Sequence, residues 1–301
     1  MSKVLLIGSK GWIGTKVYNL LINRKDIEQV YTSSVRGDNI NAIQNELETI
    51  KPTHVISCIG RTHGIIDGHE IPTIDYLEYP GKLQENIRDN LFSPIVLAKI
   101  CTDRGIHLTY LGTGCIFEYD GAHNNIESGF KETDLPNFFG SGYSVVKGFT
   151  DQLMSLYNTS VLNVRIRMPI TAEINSRDFI TKIVNYEKIC SMPNSMSILD
   201  ELLPIMIDMA LTNRTGTINL TNPGTISHEE ILQMYKEIVD PNKSWKTMTY
   251  YEQSQLLKSK RSNNALDTSK LVEWYPSVSN IHSAVRKVLE ERACLNAKVL
   301  L

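Results

Sequence analysis

The fold is decided by a stretch near the N-terminus, Val4-Leu5-Leu6-Ile7-Gly8-Ser9-Lys10-Gly11-Trp12-Ile13-Gly14. Its first residues form an apolar run typical of a buried parallel strand, and an apolar helical face follows the glycines. Between a strand and a helix, Gly8 allows the tight turn, Gly11 lets the backbone approach a pyrophosphate, and Gly14 lets the helix pack closely. The stretch therefore predicts a dinucleotide-binding turn, with Trp12 and Ile13 among the cofactor-binding residues.

The cofactor preference is indicated by the end of the second predicted strand, 29–32. NAD-specific proteins usually carry an acidic residue there, which holds the ribose 2′-hydroxyl. This chain has Ser33-Ser34-Val35-Arg36 instead, with no acid in the run to repel a 2′-phosphate. Hydroxyls and a guanidinium favour that phosphate, so we expect NADPH rather than NADH, bound by Ser33 and Arg36. Gly60, at the end of the third strand (53–59), is a further expected cofactor contact.

Composition narrows the functional class. The chain has 301 residues, 42% of them hydrophobic, and a formal net charge of -2, so we expect no nucleic-acid or membrane partner. No apolar run approaches the roughly 20 residues of a membrane-spanning helix. The five cysteines lack metal-like spacing, which indicates a reduced, cytoplasmic protein without a metal site. His63 and His69, in a long loop predicted over 60–81, are interpreted as surface histidines.

A helix is predicted over 83–104, where apolar residues recur at helical spacing. Pro94 lies inside it and cannot donate a hydrogen bond to the carbonyl of Asn90. We expect a local kink that aims Asn90 inward, where it would contact substrate.

The predicted chemical centre follows the next strand, 107–111. Thr113 and Cys115 come at its end, and alternation along an extended chain predicts that both point into the cleft. Tyr143 and Lys147, at i,i+4 on one helical face, suit ketone reduction: the tyrosine gives a proton to the alkoxide, and the lysine lowers the tyrosine pKa and holds the nicotinamide ribose. Thr113 adds a second hydrogen bond to the carbonyl oxygen.

These residues in this order resemble the extended short-chain dehydrogenase/reductase superfamily. Within it, the chain is most similar to the bifunctional nucleotide-rhamnose synthase/epimerase-reductases. The stretches that carry this likeness are 11–14 (GWIG), 113–120 (TGCIFEYD), 165–170 (RIRMPI), 179–182 (FITK), 193–196 (PNSM), 198–204 (ILDELLP) and 261–264 (RSNN).

The resemblance implies an α/β fold, a Rossmann-type doubly wound parallel sheet with a smaller C-terminal substrate lobe. We expect a NADPH-binding domain at 1–166 and a mainly substrate-binding lobe at 167–301, with a late strand near 217–220 returning to the first. The implied activity converts a nucleotide-linked 4-keto-6-deoxy-D-glucose to nucleotide-β-L-rhamnose by C3/C5 epimerisation and NADPH-dependent C4 reduction. The implied assembly is a homodimer through the helices that contain 83–104 and 142–157.

The resemblance also gives roles to residues that the pattern alone would leave unremarkable. It implies Cys115 as the base and Lys182 as the acid of epimerisation; alone, they would be interpreted as a small buried side chain and a solvated helix lysine. In the substrate lobe, Arg261 is expected at the diphosphate because guanidinium groups match phosphate geometry. Asn194 and Glu201 are weaker expectations for the uracil or ribose.

Alternatives stay open at this point. A reductase that relies on a separate epimerase is favoured if Cys115 and Lys182 take no part in proton exchange. A non-catalytic NADPH-binding protein is disfavoured because Tyr143 and Lys147 are both present. A 4,6-dehydratase or 4-epimerase fits the fold, but dehydratases usually place Asp-Glu where this chain has Gly114-Cys115. The sequence does not separate UDP from dTDP as the carrier.

Overall fold

The computed structural model describes residues 2–124 and 128–299, with the backbone alone for 296–299. The strands in this part of the chain are β1 (Ser2–Ile7), β2 (Ile27–Thr32), β3 (His54–Ser57), β4 (Gly64–Ile66), β5 (His69–Ile71), β6 (His107–Thr113), β7 (Val161–Ile166), β8 (Pro169–Ile170), β9 (Lys188–Ile189), β10 (Ser197–Ile198), β11 (Gly216–Asn219) and β12 (Lys246–Thr247). The α-helices are α1 (Trp12–Leu21), α2 (Ile40–Ile50), α3 (Lys82–Ile87), α4 (Ser93–Asp103), α5 (Gly142–Met154), α6 (Phe179–Val184), α7 (Leu199–Leu211), α8 (His228–Ile238), α9 (Tyr250–Leu256), α10 (Ser269–Trp274) and α11 (Ile281–Val299). None of these helices is both long and apolar enough to cross a membrane.

The central element is a six-stranded sheet with strand order β11-β7-β6-β3-β1-β2. β1 pairs in parallel with β2 on one side and β3 on the other, and β3 pairs in parallel with β6. The strand order therefore reverses beside β1, and ligands of doubly wound sheets bind at such a reversal, outside the carboxyl ends of the strands. The predicted α/β fold with a Rossmann-type parallel sheet is confirmed.

The chain divides into two compact units that interleave along the sequence. The first comprises Met1–Ile116, Leu135–Arg165 and Leu203–Ile218, and the second comprises Phe117–Asp134, Ile166–Leu202 and Asn219–Leu301. The predicted boundary at 166/167 thus differs in two places, since 117–134 falls in the second unit and 203–218 in the first. β11 lies at an edge of the central sheet, where a late strand near 217–220 was expected.

Pro94 shapes the helical segment that precedes β6. α3 and α4 are joined by a wider π-helical turn, Arg88–Phe92, and Asn90 in this turn is fully buried. The carbonyl of Asn90 accepts a hydrogen bond from Thr150 Oγ1 (2.6 Å), a donor on α5. The expected distortion and the inward direction of Asn90 are both confirmed, and the carbonyl that the proline leaves without a helical donor is satisfied from the neighbouring helix.

The second unit builds its own apolar core from α6, α8, α11 and the short strands β8 and β10. Ser227 begins α8 with a capping box, in which its side chain accepts from the amide of Glu230 and the Glu230 carboxylate accepts from the amide of Ser227. The run Ser227-His228-Glu229-Glu230 predicts a cap at Ser227 from sequence, and the structure confirms it. The apolar residues that begin at Ala293, for which the sequence pattern predicts no structure, continue α11 as far as Val299.

The segment predicted as a loop over 60–81 contains regular structure. β4 and β5 form an antiparallel hairpin around Asp67-Gly68, both of which have positive φ, and a 3-10 helix follows at Ile74–Glu78. Gly64 is needed here because a Cβ at this position would lie 2.3 Å from the ring of Tyr76. The hairpin is only three residues on each strand, too short for periodicity to identify.

Candidate active site

The glycine turn fits a dinucleotide pyrophosphate. Gly8 has φ +84°, and a Cβ at Gly14 would lie 2.0 Å from the carbonyl oxygen of Gly8, so no larger residue fits. α1 begins after Gly11, and no side chain in the described ranges caps its first turn, which also lacks acidic residues. The amides and positive dipole at this helix end are thus open to an anion. The buried indole N–H of Trp12 has no partner among the described residues.

The expected 2′-phosphate subsite is more charged than the sequence indicated. Ser33 donates from its hydroxyl to Glu46 on α2 (2.6 Å), and Arg36 is bonded to Asp38 (2.9 Å) and Asp89 (3.2 Å). The run 33–36 contains no acid, as the sequence shows, but three carboxylates from other positions bond Ser33 and Arg36. Arg36 is 58% exposed and keeps its guanidinium at the surface, where an incoming phosphate can compete for it.

Asn90 and Gly60 lie together beside the end of β3. Asn90 Oδ1 accepts from the amide of Arg61 (2.8 Å), and its Nδ2 donates to the Arg61 carbonyl (2.8 Å) and to Asn86 (2.9 Å). A Cβ at Gly60 would lie 3.3 Å from Asn90 Oδ1. The Asn90 side chain therefore holds the loop after β3, which is a positioning role rather than the expected substrate contact.

Thr113 and Cys115 meet at the end of β6 by a different geometry from the one expected. The strand ends at Thr113, and the amide of Cys115 donates back to Thr113 Oγ1 (3.1 Å), so the chain turns instead of continuing extended. Cys115 packs against a buried cluster that contains Tyr143, Tyr76 and Leu77. The turn thus brings Thr113 and Cys115 to Tyr143, although strand alternation was the wrong reason to expect it.

The helix that carries Tyr143 is fixed at its N-terminus by polar contacts that sequence reasoning missed. Ser141 caps α5 by accepting from the amide of Ser144 (3.0 Å), and the Ser144 hydroxyl donates to the carbonyl of Cys115 (2.7 Å). Glu78 accepts from the amide of Gly142 (2.7 Å). The Ser-x-x-Ser spacing was a signal for the cap, whereas the contact with Cys115 joins segments far apart in sequence.

Burial sets the protonation of the Tyr143–Lys147 pair. It raises the pKa of Tyr143 well above its ordinary value; Cys115 reinforces this shift and Thr113 opposes it. Burial also lowers the pKa of Lys147 to about 8, against the attraction of Asp151. The expected lowering of the Tyr143 pKa by Lys147 is not observed, because the Lys147 ammonium instead donates a hydrogen bond to the hydroxyl of Tyr110.

In the second unit, Lys182 and Arg261 lie within electrostatic reach of each other. Lys182 lies on α6, and its pKa is lowered by burial and by the charges of Arg177 and Arg261, while Asp178 opposes the shift. A lowered pKa makes a lysine a better proton donor near neutrality. Arg261 donates to the carbonyl and hydroxyl of Ser259 (2.8 and 2.7 Å).

Two of the expected substrate contacts have internal roles instead. Asn194 is fully buried; its Oδ1 accepts from Arg167 (2.8 Å) and from the amide of Asn264 (3.0 Å), and its Nδ2 donates to Asn263 (2.9 Å). The Glu201 carboxylate accepts from the Asn222 side chain (2.7 Å) and from the amide of Ser279 (2.8 Å). The expectation that Asn194 and Glu201 bind the base or ribose is not supported, because their polar atoms already hold neighbouring segments.

The similarities to known proteins are strong over nearly the full chain, although no protein-family model matches it. The chain is 52% identical to the crystallised UDP-rhamnose synthase of Acanthamoeba polyphaga mimivirus, with a TM-score of 0.91 over 96% of this chain and 99% of that one. It is 42% identical to the bifunctional dTDP-4-dehydrorhamnose 3,5-epimerase/dTDP-4-dehydrorhamnose reductase of Arabidopsis thaliana, over 95% of this chain and 92% of that protein.

A dTDP-4-dehydrorhamnose reductase from Clostridium acetobutylicum shares the fold, with a TM-score of 0.78 at 17% identity. At that identity the likeness concerns the fold alone. The two closer similarities, at 52% and 42% identity, cover nearly the full length of both partners. The chain therefore belongs to the bifunctional nucleotide-rhamnose synthase/epimerase-reductases, a family of enzymes within the extended short-chain dehydrogenase/reductase superfamily.

Proposed function

We propose that the protein converts UDP-4-keto-6-deoxy-D-glucose to UDP-β-L-rhamnose by epimerisation at C3 and C5 and reduction at C4. The observation that carries this proposal is the turn after β6. It places Cys115 against the buried cluster that contains Tyr143, while the Thr113 side chain is hydrogen-bonded to Tyr143. UDP is preferred to dTDP as the carrier because the relative at 52% identity is called a UDP-rhamnose synthase.

Epimerisation uses the acidity of the protons next to the C4 ketone. Cys115, as thiolate, removes a proton from C3 or C5, and the electron pair passes to the ketone oxygen as an enolate. Thr113 and Tyr143 donate hydrogen bonds to that oxygen. Lys182, as ammonium, returns a proton to the opposite face of the carbon. The lowered pKa of Lys182 supports this assignment, because such an ammonium gives up its proton more readily.

Reduction follows on the epimerised ketone. The glycine turn and Arg36 would hold NADPH by its pyrophosphate and its 2′-phosphate, and the bound cofactor would supply the hydride that C4 receives. Tyr143 gives its hydroxyl proton to the C4 oxygen, and Thr113 holds that oxygen during the transfer. Burial raises the pKa of Tyr143, which keeps its hydroxyl protonated until the transfer. The role of the Lys147 ammonium in this step is to stabilise the tyrosinate that remains after the proton has left. Gly8, Gly11 and Gly14 accommodate the pyrophosphate.

The nucleotide is assigned to cations of the second unit. Arg261 binds the diphosphate, since its guanidinium matches phosphate geometry and its charge acts on Lys182, as the charge of Arg177 also does. Asn194 is already bonded to Arg167 and Asn264, so it holds the segment that carries Arg261 and does not contact the nucleotide.

We further propose a homodimer through α3 and α5. These helices pack together, and each leaves large apolar side chains exposed: Leu83, Ile87, Phe149 and Leu153. Exposed apolar side chains on two helices that pack together support an interface there. Light scattering after size exclusion is expected to give the mass of a dimer, and a Phe149→Glu/Leu153→Glu variant that of a 34.0 kDa monomer. A wild-type monomer at micromolar concentration would contradict the dimer.

The central experiment is product analysis in heavy water. The protein receives UDP-4-keto-6-deoxyglucose and NADPH, with no other epimerase present, and the product is analysed by mass spectrometry and NMR. We expect UDP-rhamnose carrying deuterium at both C3 and C5. Cys115→Ser and Lys182→Met are expected to lose the deuterium, whereas Lys188→Met, which removes an exposed lysine a short distance along the chain, is expected to behave as wild type.

The outcomes separate the competing functions. NADPH oxidation without deuterium at either carbon indicates a reductase alone and removes the roles of Cys115 and Lys182. Exchange and reduction with the dTDP sugar but not the UDP sugar corrects the carrier. NADPH binding without turnover of either sugar contradicts the proposed reaction.

A further inference from the structure

A buried tyrosine outside the predicted catalytic set holds the catalytic lysine. Tyr110 lies on β6, three residues before Thr113, and is 1% exposed. Lys147 on α5 is 4% exposed, and its ammonium donates to the Tyr110 hydroxyl while lying 4.7 Å from the centre of the Tyr110 ring. The Tyr110 hydroxyl thus offers the ammonium a hydrogen-bond acceptor in a buried position.

The other groups around the Lys147 ammonium show why its hydrogen bond to Tyr110 matters. The charged and titratable groups acting on the Lys147 ammonium are the hydroxyl of Tyr110 from β6, Asp151 one turn along α5, and Cys115 from the loop. Asp151 is itself engaged by Arg165 of β7, at 2.6 and 2.9 Å, which reduces the negative charge it offers to the lysine. Tyr110 is the hydrogen-bond acceptor for the ammonium in this part of the described chain.

We propose that Tyr110 is a positioning residue for reduction, whose hydroxyl anchors the Lys147 ammonium on the face of α5 that also carries Tyr143. This role rests on the proposed function. A long lysine side chain has several rotatable bonds, so a fixed acceptor on the rigid strand β6 defines where its charge lies. Tyr110 also keeps the ammonium protonated, because an acceptor bonded to a buried charged group favours the charged form.

Tyr110 acts on reduction and not on epimerisation. Proton exchange at C3 and C5 is assigned to Cys115 and Lys182, neither of which has a hydrogen bond to Tyr110. Loss of the Tyr110 hydroxyl should therefore separate the two half-reactions. A structural role of the same ring would affect both half-reactions together, because Thr113 lies on the same strand and Cys115 lies in the turn that follows it.

The test compares wild type with Tyr110→Phe, which keeps the ring and removes the hydroxyl. The first readout is the titration of Lys147 by NMR in protein labelled with [13Cε]lysine, the resonance being assigned by its loss in Lys147→Met. This readout needs neither substrate nor cofactor. Tyr31→Phe, which removes a hydroxyl bonded to Gln29 elsewhere in the same unit, is the matched control.

We expect Tyr110→Phe to move the Lys147 titration midpoint down by about 1 pH unit, a shift typical of one lost hydrogen bond to a charged group. The second readout is kinetic. The kcat for NADPH oxidation at pH 8 should fall about fivefold, because a smaller fraction of Lys147 is protonated there. The alkaline limb of the pH profile should move to lower pH together with the Lys147 titration. The KM for the nucleotide sugar and the rate of deuterium exchange at C3 and C5 should stay within about twofold of wild type.

Each contrary result has a definite meaning. An unchanged Lys147 titration in Tyr110→Phe overturns the proposal, and so does a parallel loss of exchange and reduction, which would indicate general distortion. If the wild-type protein reduces no 4-keto sugar, the proposed function fails, yet the NMR titration still decides whether Tyr110 holds Lys147.

Discussion

Ser144 donates a hydrogen bond from its hydroxyl to the backbone carbonyl of Cys115, over 2.7 Å. The same hydroxyl accepts from Ser141, the cap of α5 (2.9 Å), so the turn that carries Cys115 is joined to the start of the helix that carries Tyr143 and Lys147. The proposed base of epimerisation and the proposed acid of reduction are thereby fixed to one another within a single unit.

Removing the Ser144 hydroxyl should loosen the Cys115 turn. For Ser144→Ala we expect deuterium exchange at C3 and C5 to fall about tenfold, with a loss of about 1 kcal/mol in the free energy of unfolding. Exchange followed by NMR and urea unfolding measure the two effects. Ser155→Ala, at the exposed C-terminal end of the same helix, is the control. Wild-type exchange in Ser144→Ala would show that the contact does not position the thiol.

Replacing Tyr143 by Phe should separate reduction from proton exchange. Because Tyr143 is the proton donor to the C4 oxygen, we expect NADPH oxidation to fall by roughly 10² to 10⁴-fold, the range for a lost general acid. Exchange at C3 and C5 should fall less, since Thr113 still bonds the enolate oxygen. Stopped-flow absorbance and NMR follow the two reactions, with Tyr157→Phe as control. Equal losses in both reactions would argue against this division of roles.

Gly14→Ala should weaken cofactor binding. The added Cβ would lie 2.0 Å from the Gly8 carbonyl oxygen, so the turn must move. We expect the Kd for NADPH, measured by fluorescence, to rise at least tenfold, with a destabilisation of about 1–3 kcal/mol. Gly121→Ala is the control, because its Cβ would meet nothing within 4 Å. Unchanged affinity in Gly14→Ala would remove the turn from the cofactor site.

The charge of Arg177 should set the pH dependence of epimerisation. Lys182 must be protonated to act as the acid, so exchange declines as pH rises through its pKa, which burial and then Arg177 lower. Arg177→Gln removes a like charge and raises that pKa, so the alkaline limb of exchange should move to higher pH. Arg104→Gln, which removes an arginine paired with Glu48, is the control. A limb that moved to lower pH would contradict the assignment of Lys182.

Arg167 should be essential to the segment that carries Arg261. It is 1% exposed, and its guanidinium donates to the Asn194 side chain and to the carbonyls of Asn264 and Ser262, each at 2.8 Å. For Arg167→Met we expect a loss of about 3 kcal/mol in unfolding free energy, because several buried acceptors lose a charged donor.

The same variant should also raise the KM for the nucleotide sugar, with kcat changed less. Denaturant unfolding and steady-state kinetics measure the two effects. Arg286→Met, an exposed arginine of the same unit, should change stability by less than about 0.5 kcal/mol. A stable Arg167→Met with wild-type KM would show that the buried guanidinium does not position Arg261.

The sequence determined the features that depend on neighbours along the chain. The strand-turn-helix at Gly8–Gly14, the distortion at Pro94 and the cap at Ser227 each follow from local backbone geometry. The i,i+4 spacing of Tyr143 and Lys147 likewise placed two side chains on one helical face. These features carried the fold class and most of the proposed reductive site.

Tertiary structure alone decided which polar groups remain available for chemistry. The amide of Asn194 and the carboxylate of Glu201 could each bind a nucleotide. In the structure, however, their polar atoms are hydrogen-bonded to residues 21 to 78 positions away. Tyr110 and Lys147, 37 positions apart, meet only because β6 packs against α5. A buried polar group must find a partner wherever the fold brings one, so its role depends on contacts between distant segments, which local sequence does not encode.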